Sequence, residues 1–180
     1  MADAYRIKDQ YTAYFITLTV IDWVDVFTRK VYKDILIDSL KYCIANKGLH
    51  VYEFVIMSNH LHAIVSSDKL PLSDIIRDFK KFTAKQIIEQ ITNSSESRKE
   101  WLLRKFSFAG ARNSNNKTYQ FWQQDYHAVE LSYEKMWKQR MEYIHNNPVR
   151  AGIVEHAEEY LYSSARFYYN RKCLLDLAPK

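Results

Sequence analysis

The sequence predicts an α+β fold, in which an antiparallel sheet carries helices mainly on one face in a ferredoxin-like arrangement. Short runs rich in β-branched and aromatic residues alternate with longer runs whose apolar residues recur every three or four positions. Two strand-like runs are separated by two short polar residues, which favours an antiparallel hairpin. The predicted order is strand, helix, hairpin, helix, strand, helix, and this order is typical of the α+β class.

The first predicted strand covers residues 11–21, YTAYFITLTVI. Thr17 and Thr19 alternate with apolar residues there, so one face of the strand is expected to be wetter than the other. Residues 31–47 follow with apolar side chains at helical spacing, and Gly48 stands where a C-terminal cap is expected. These residues predict a helix.

Residues 50–57 and 60–66 are two further strand-like runs, with Ser58 and Asn59 between them at a tight turn. The next segment predicts a long helix with Ser73 as its N-cap residue. Its apolar side is marked by Leu72, Ile75, Ile76, Phe79, Ile87 and Ile91.

The second half of the chain is less regular. A short helix is predicted around WLLRKF, followed by a polar loop at residues 111–119 and a strand at residues 121–131. Ser132 is predicted to cap a helix over residues 133–146, which stops at Asn147 because proline disfavours helix for the residue before it. We expect residues 1–180 to form one domain, with residues 155–180 as a C-terminal tail of short helical pieces.

Composition limits the functional classes. No apolar run approaches the ~20 residues that a membrane span needs, and the N-terminus has no apolar signal region, so we expect a cytoplasmic protein without a membrane partner. Cys43 and Cys173 are far apart, which argues against a thiolate zinc site. The formal net charge is +5, and residues 71–112 hold nine Lys/Arg against five Asp/Glu, which favours a polyanionic partner.

The segment NHLHAIV contains a histidine pair, His60 and His62, inside a predicted strand. Residues two apart in a strand point to the same side, so the two imidazoles project together. A zinc hydrolase would need an aspartate just downstream, where Ala63, Ile64 and Val65 stand instead. Two ordinary sheet histidines and a metal or catalytic pair are the interpretations that the pattern leaves open.

The predicted helix before Pro148 could complete such a site. Tyr143 and Asn147 lie one turn apart on its flank and offer a hydroxyl and a neutral oxygen. Together with two imidazoles, an amide oxygen can accommodate Mg²⁺ or Mn²⁺ if waters and a substrate phosphate complete the coordination shell. Tyr143 could equally be a half-buried aromatic that anchors the helix.

Four segments, taken in order, resemble the REP-associated tyrosine transposases, members of the HUH family of single-strand DNA endonucleases. They are VIMSNHLHAIV, LSDIIRDFKKFTAKQI, FWQQDYHAVEL and EYIHNNPVRAGIVEHAEEYLYSSA, and the resemblance spans roughly residues 11 to 168. It implies that His60 and His62 hold a divalent cation, Mg²⁺ or Mn²⁺, and that Tyr143 is the nucleophile. The third ligand, often glutamine in relatives, falls on the shorter Asn147.

The resemblance implies that the protein nicks and rejoins single-stranded or hairpin DNA through a 5′-phosphotyrosine intermediate. His145 is two positions from Tyr143 and is expected to point elsewhere. Residues expected to contact DNA through phosphate or base stacking are Arg77, Lys80, Lys81, Lys85, Arg112, Trp122, Gln123 and Arg150.

Two other functions stay open at the level of sequence. One is a domesticated regulator that binds structured DNA without cleaving it, and the other is an RNA-binding module that uses the same basic and aromatic surface. The protein is expected to act as a monomer or a homodimer.

Overall fold

The computed structural model describes residues 6–113 and 118–179 and is built around a four-stranded antiparallel sheet. Its strands are β1 (Tyr14–Thr19), β2 (Leu49–Ile56), β3 (His60–Ser67) and β4 (His127–Glu130), in the spatial order β2-β3-β1-β4. Helices cover this sheet, so the predicted α+β class is confirmed. The two central strands are β3 and β1, and they carry the most important part of the predicted site.

Within the described residues, five α-helices accompany the sheet: α1 (Lys30–Lys47), α2 (Leu72–Asn93), α3 (Lys99–Ala111), α4 (Glu134–Arg150) and α5 (Ala165–Tyr168). Helices α1 and α2 pack on the face that carries Ile16 and Leu18, where Leu40 and Ile75 line the same small internal cavity. Alternate residues of β1 point to the opposite face, and there Phe15 contacts Tyr143 of α4. The predicted site therefore lies between the sheet and α4.

Several predicted elements agree with the structure. The hairpin is present, with its strands joined through Met57, Ser58 and Asn59. Helix α1 ends at Gly48, which has a φ of 72° and donates its N–H to the carbonyl of Cys43. A side chain at Gly48 would clash with Lys69, because a Cβ there would lie 2.4 Å from the Lys69 Cβ, so glycine suits both the backbone and the packing.

The prediction of a strand over residues 121–131 is wrong for its first half. Strand β4 contains four residues, His127–Glu130, and Trp122 makes a single bridge to Val20. The carbonyls of Gln123 and Gln124 instead accept hydrogen bonds from the Lys80 ammonium, at 2.8 and 2.9 Å. Backbone hydrogen bonds from Ile21 N–H to the Phe121 carbonyl and from Gln123 N–H to the Thr19 carbonyl flank the bridge, so regular pairing is interrupted only between this bridge and β4.

The predicted end of the helix at Asn147 is also wrong, because α4 continues through Pro148 to Arg150. Proline disfavours but does not forbid helix before it, and Pro148 is buried in the core while Gly152, with a φ of 68°, follows the helix end. The N-cap predictions are wrong as well: Pro71 and Tyr133 precede the two helices in place of Ser73 and Ser132.

The C-terminal segment covers the free edge of β2. The carbonyl of Tyr162 accepts a hydrogen bond from Ile56 N–H at 3.0 Å, and Ser163 bridges Val55. An uncovered edge strand would offer unpaired backbone groups to other chains, so this contact protects the sheet.

Helix α3 is longer than the short helix predicted around WLLRKF and reaches Ala111. Part of the predicted loop at 111–119, residues 114–117, lies outside the described residues. Among the helices described, none is long and apolar enough to span a membrane.

Candidate active site

The two predicted histidines project from β3 side by side on the face beneath α4. Their ring centroids are 4.5 Å apart, and the planes cross at 68°. His62 is 5% exposed, while His60 is partly buried at the edge of the cleft. The strand periodicity thus brings both imidazoles to one point, as predicted.

Asn59 fixes the tautomer of His60. The Asn59 amide nitrogen donates to the carbonyl of Trp23 at 3.1 Å, which leaves its Oδ1 facing the imidazole. His60 Nδ1 lies 2.6 Å from this oxygen and must donate, because an amide oxygen can only accept. The lone pair of His60 therefore lies on Nε2.

Thr17 holds His62 from the neighbouring strand. Thr17 lies directly opposite His62 in the β1–β3 ladder, and its hydroxyl is 2.8 Å from His62 Nδ1. His62 Nε2 is buried and makes no hydrogen bond within the described residues. The Thr17 hydroxyl can either donate to Nδ1 or accept its proton. In the tautomer whose Nδ1–H donates to Thr17, the buried Nε2 carries the lone pair that a metal-binding histidine presents.

Both imidazoles are neutral at physiological pH. Burial lowers the pKa of His60 to about 4. Burial also lowers the pKa of His62 to about 3, with further contributions from the charges of His60, Arg140 and His127. A cation binds the neutral form, so neither histidine has to lose a proton on binding.

Tyr143 reaches this pair from α4 of the same chain. Its ring centroid is 5.2 Å from that of His62 and 6.1 Å from that of Phe15. Phe15 in turn stacks on His62 at 5.3 Å, so the rings of Phe15, His62 and Tyr143 pack against one another between β1, β3 and α4. The structure thus brings the predicted nucleophile and the predicted metal pair together.

Two basic side chains at the site, Arg140 and His127, were not predicted from the sequence. Arg140 precedes Tyr143 by three residues on the same helix face, and its guanidinium lies 4.8 Å from the Phe15 ring. His127 lies opposite Thr17 in the β1–β4 ladder and so shares the face of His62. The spacing 140, 143, 147 could have revealed Arg140, but His127 needed the strand register.

The donor set suits a divalent cation only in part. Within the described residues, no group of three or more His, Cys, Asp or Glu side chains could hold a metal. Asn147 lies one turn after Tyr143 and is partly buried. The two neutral imidazoles alone would leave coordination positions for further ligands such as water and phosphate oxygen.

The residues predicted to contact DNA fall into two groups. Lys81 and Lys85 are exposed and line, with Gln123, a groove of about 800 Å³ beside α2. Arg112 and Arg150 are exposed too, and their guanidinium carbons lie 4.8 Å from the Phe108 ring and 5.8 Å from the Tyr143 ring. These five residues are accessible to a nucleic acid.

The other three residues are already engaged within the protein. Trp122 is 5% exposed, and its indole N–H donates to Thr83 at 3.0 Å, so it has no open face for a base. Lys80 anchors residues 123 and 124, and burial lowers its pKa to about 8. Arg77 pairs on the surface with Asp74 and Asp78, at 2.6 and 3.0 Å.

His145 points away from Tyr143, as predicted. Its Nε2 is 2.8 Å from the carboxylate of Glu53, which is fully buried on β2, and 3.1 Å from Ser164. Tyr168 donates to the same carboxylate. These hydrogen bonds connect α4, strand β2 and the C-terminal segment, two residues along α4 from Tyr143.

Comparison with known proteins identifies a family and a similar fold. Residues 10–111 match the family model described as IS200-like transposase. A REP-associated tyrosine transposase solved with a bound REP hairpin matches with a TM-score of 0.66 and 16% identity, over 100% of this chain and 93% of that one. A proposed transposase from Deinococcus radiodurans R1 matches with a TM-score of 0.46 and 17% identity, over 78% of this chain and 95% of the other. No curated protein matches.

Proposed function

The chain belongs to the IS200-like transposase family, and from this premise we propose that it nicks and rejoins single-stranded DNA with Tyr143 as the nucleophile. The observation that carries the proposal is the contact between Tyr143 and His62, whose ring centroids are 5.2 Å apart within one chain. Tyr143 then acts on the site of its own chain. A tyrosine hydroxyl beside two neutral imidazoles that can bind a cation is suited to attack on a phosphate bound at this point.

His60 and His62 would hold Mg²⁺ or Mn²⁺ through their Nε2 atoms, with Asn147 as a third ligand. The fit rests on the buried Nε2 of His62, which has no hydrogen-bond partner within the described residues, and on the tautomer that Asn59 sets for His60. The Thr17 hydroxyl can accept the Nδ1–H of His62, which leaves the Nε2 lone pair for the cation. When bound, the cation would withdraw charge from a non-bridging oxygen of the phosphate.

The chain's own residues carry the transfer. The Tyr143 oxygen forms a bond to phosphorus while the bond from phosphorus to the 3′ oxygen of the preceding nucleotide breaks. The phenolic proton passes to solvent, and the departing oxygen gains a proton to become a 3′-OH. The products are a 5′-phosphotyrosine and a free 3′ end, and attack by a 3′-OH in reverse joins DNA without an external energy source.

Arg140 and Arg150 flank the nucleophile and would neutralise the phosphodiester. Their positions with Tyr143 and Asn147, at 140, 143, 147 and 150, follow the three-and-four spacing of one helix face. The Arg140 charge reaches both His62 and His127, whose pKa values it helps to lower. We assign to Arg140 the contact with the phosphate that Tyr143 attacks.

The part of the DNA beyond the cleavage point, a duplex or hairpin, is expected to lie along the basic groove beside α2. Lys81, Lys85 and Gln123 line it, and Arg112 continues the positive surface. The similar transposase was solved with a REP hairpin, and we propose a DNA hairpin with single-stranded flanks as the substrate of this chain.

The test is a covalent-adduct assay. Labelled hairpin DNA with single-stranded flanks is incubated with the protein and Mg²⁺ or Mn²⁺, and the RNA of the same sequence is run beside it. We expect a protein–DNA adduct that Tyr143→Phe abolishes, and His60→Ala should abolish cutting while most of the binding persists. Binding without any adduct would support the non-cleaving regulator, and an adduct or tighter binding with RNA alone would support the RNA module. An adduct that persists in Tyr143→Phe would remove this residue from its role.

A further inference from the structure

A large aromatic side chain stands exposed at the mouth of the site. Trp23 follows β1 in a short 3-10 turn, Ile21–Trp23, and 60% of its surface is accessible. Its ring centroid lies 6.0 Å from that of His60, with the planes at 72°. The indole therefore borders the metal pair while most of its surface stays open to solvent.

The backbone holds this tryptophan in an unusual conformation. Asp22 and Trp23 have φ values of 51° and 55°, in the left-handed region that non-glycine residues rarely adopt. Asn59 fixes the Trp23 carbonyl from one side, and Lys105 lies 3.6 Å from the Asp22 carboxylate on the other. Such conformations persist where surrounding contacts enforce them. The turn is thus built to present the ring and not to bury it.

Trp23 and His60 are connected through the side chain of Asn59. The Asn59 side chain that binds the Trp23 carbonyl also accepts the Nδ1–H of His60. One amide therefore sets both the orientation of a proposed metal ligand and the placement of an exposed indole. A nucleotide whose phosphate reaches His60 and His62 would place its base, or that of its neighbour, over this ring.

We propose that Trp23 stacks on an unpaired base of single-stranded DNA next to the phosphate that Tyr143 attacks. This inference rests on the function proposed above and assigns to Trp23 the stacking role that the sequence suggested for the buried Trp122. Stacking on an indole tolerates every base, because each has a π face. Trp23 would hold the substrate strand open at the cleavage point without reading its sequence.

The test measures binding without metal, so that no cutting occurs. The probe is a DNA hairpin with a single-stranded extension in which 2-aminopurine, whose fluorescence responds to stacking, replaces one base at a time. Wild-type protein is compared with Trp23→Ala, Trp23→Phe and Trp101→Ala, the last being a matched control because Trp101 on α3 is 45% exposed. Thermal melting establishes that each variant folds.

We expect one position of the extension to respond in the wild type and in Trp101→Ala but not in Trp23→Ala. Loss of the ring should weaken binding by roughly 5- to 150-fold, the range for one stacked base, and Trp23→Phe should keep part of it. With an abasic nucleotide at that position, Trp23→Ala should cause little further loss. Equal losses on intact and abasic DNA, or equal behaviour of Trp23→Ala and Trp101→Ala, would overturn the inference.

The two proposals fail separately. If Trp23→Ala binds normally while a Tyr143-dependent adduct still forms, the stacking inference alone is wrong. If the 2-aminopurine response depends on Trp23 but no adduct forms under any metal condition, the cleavage proposal fails and the base-binding inference stands.

Discussion

Substituting Thr17 by valine should weaken cation binding without removing a ligand. The Thr17 hydroxyl lies 2.8 Å from His62 Nδ1, and valine has nearly the same shape but no hydroxyl. The imidazole then loses the hydrogen-bond partner that fixes its orientation. Removal of a partner of this kind costs 10- to 100-fold in metal affinity or activity, or about 1.4 to 2.7 kcal/mol.

The same change has a second effect, on stability. His62 is 5% exposed, so its Nδ1 would be buried without its hydrogen-bond partner. An unsatisfied buried polar group costs about 1 to 3 kcal/mol, which for a chain of this size lowers Tm by roughly 2 to 12 °C. The measurements are the Mn²⁺ concentration that gives half-maximal cleavage, calorimetric titration with Mn²⁺, and a melting curve.

Thr19 is the matched control. It lies two residues along β1, opposite His60 in the ladder, and is 7% exposed, yet within the described residues its hydroxyl bonds neither imidazole. Thr19→Val should therefore leave the Mn²⁺ dependence unchanged. If Thr17→Val shows the same Mn²⁺ dependence and Tm as Thr19→Val, the orienting role of Thr17 is refuted.

Three further predictions concern charge and pH. Arg140→Gln should lower kcat by roughly 100-fold or more, because it removes a group that stabilises charge developing on the phosphate. The control Lys138→Gln changes an exposed residue of the same helix and should leave kcat unchanged. Equal rates for the two variants would refute the phosphate contact. Burial alone would raise the pKa of the Glu53 carboxyl, but hydrogen bonds from His145, Tyr168 and Ser164 outweigh burial and lower it. The contribution of the Glu53 carboxylate to stability is therefore present above pH ~4.5 and is lost as the pH falls. Acid unfolding curves should show this dependence in the wild type and lose it in Glu53→Gln. Burial raises the pKa of Tyr160 to about 12, so stability should fall between pH ~10 and ~12 in the wild type and fall less in Tyr160→Phe, and identical alkaline curves would contradict this.

The periodicity of the sequence was enough to predict the general fold and the pairing of His60 with His62, while the resemblance to the tyrosine transposases implied that Tyr143 joins them. Alternation along β3 places His60 and His62 on one side, and helical spacing relates Tyr143 to Asn147. Both patterns are local, so they can be read without knowing the fold. That Tyr143 contacts the histidines of its own chain depends on how α4 crosses the sheet, which local spacing does not specify.

Contacts between distant segments account for most of the errors. The sequence suggested Trp122 as a stacking residue, but its indole N–H donates to Thr83 in the interior of the protein. Trp23 is exposed by a turn with left-handed backbone conformation, which no sequence pattern indicated. His127 joins the site through the pairing of β4 with β1. Pro148 was expected to end its helix, yet it is buried inside it, because packing outweighs a local preference.

The central claim is that the imidazoles of β3 hold a cation beside the tyrosine of α4. Anomalous diffraction from crystals grown with Mn²⁺ and a DNA hairpin would test it most directly, with Tyr143→Phe used to keep the DNA intact. We expect one strong manganese peak bonded to Nε2 of both His60 and His62, with a phosphate oxygen in its shell and the residue 143 ring facing that phosphate. A manganese peak held by other residues, or a phosphate bound away from α4, would contradict the account.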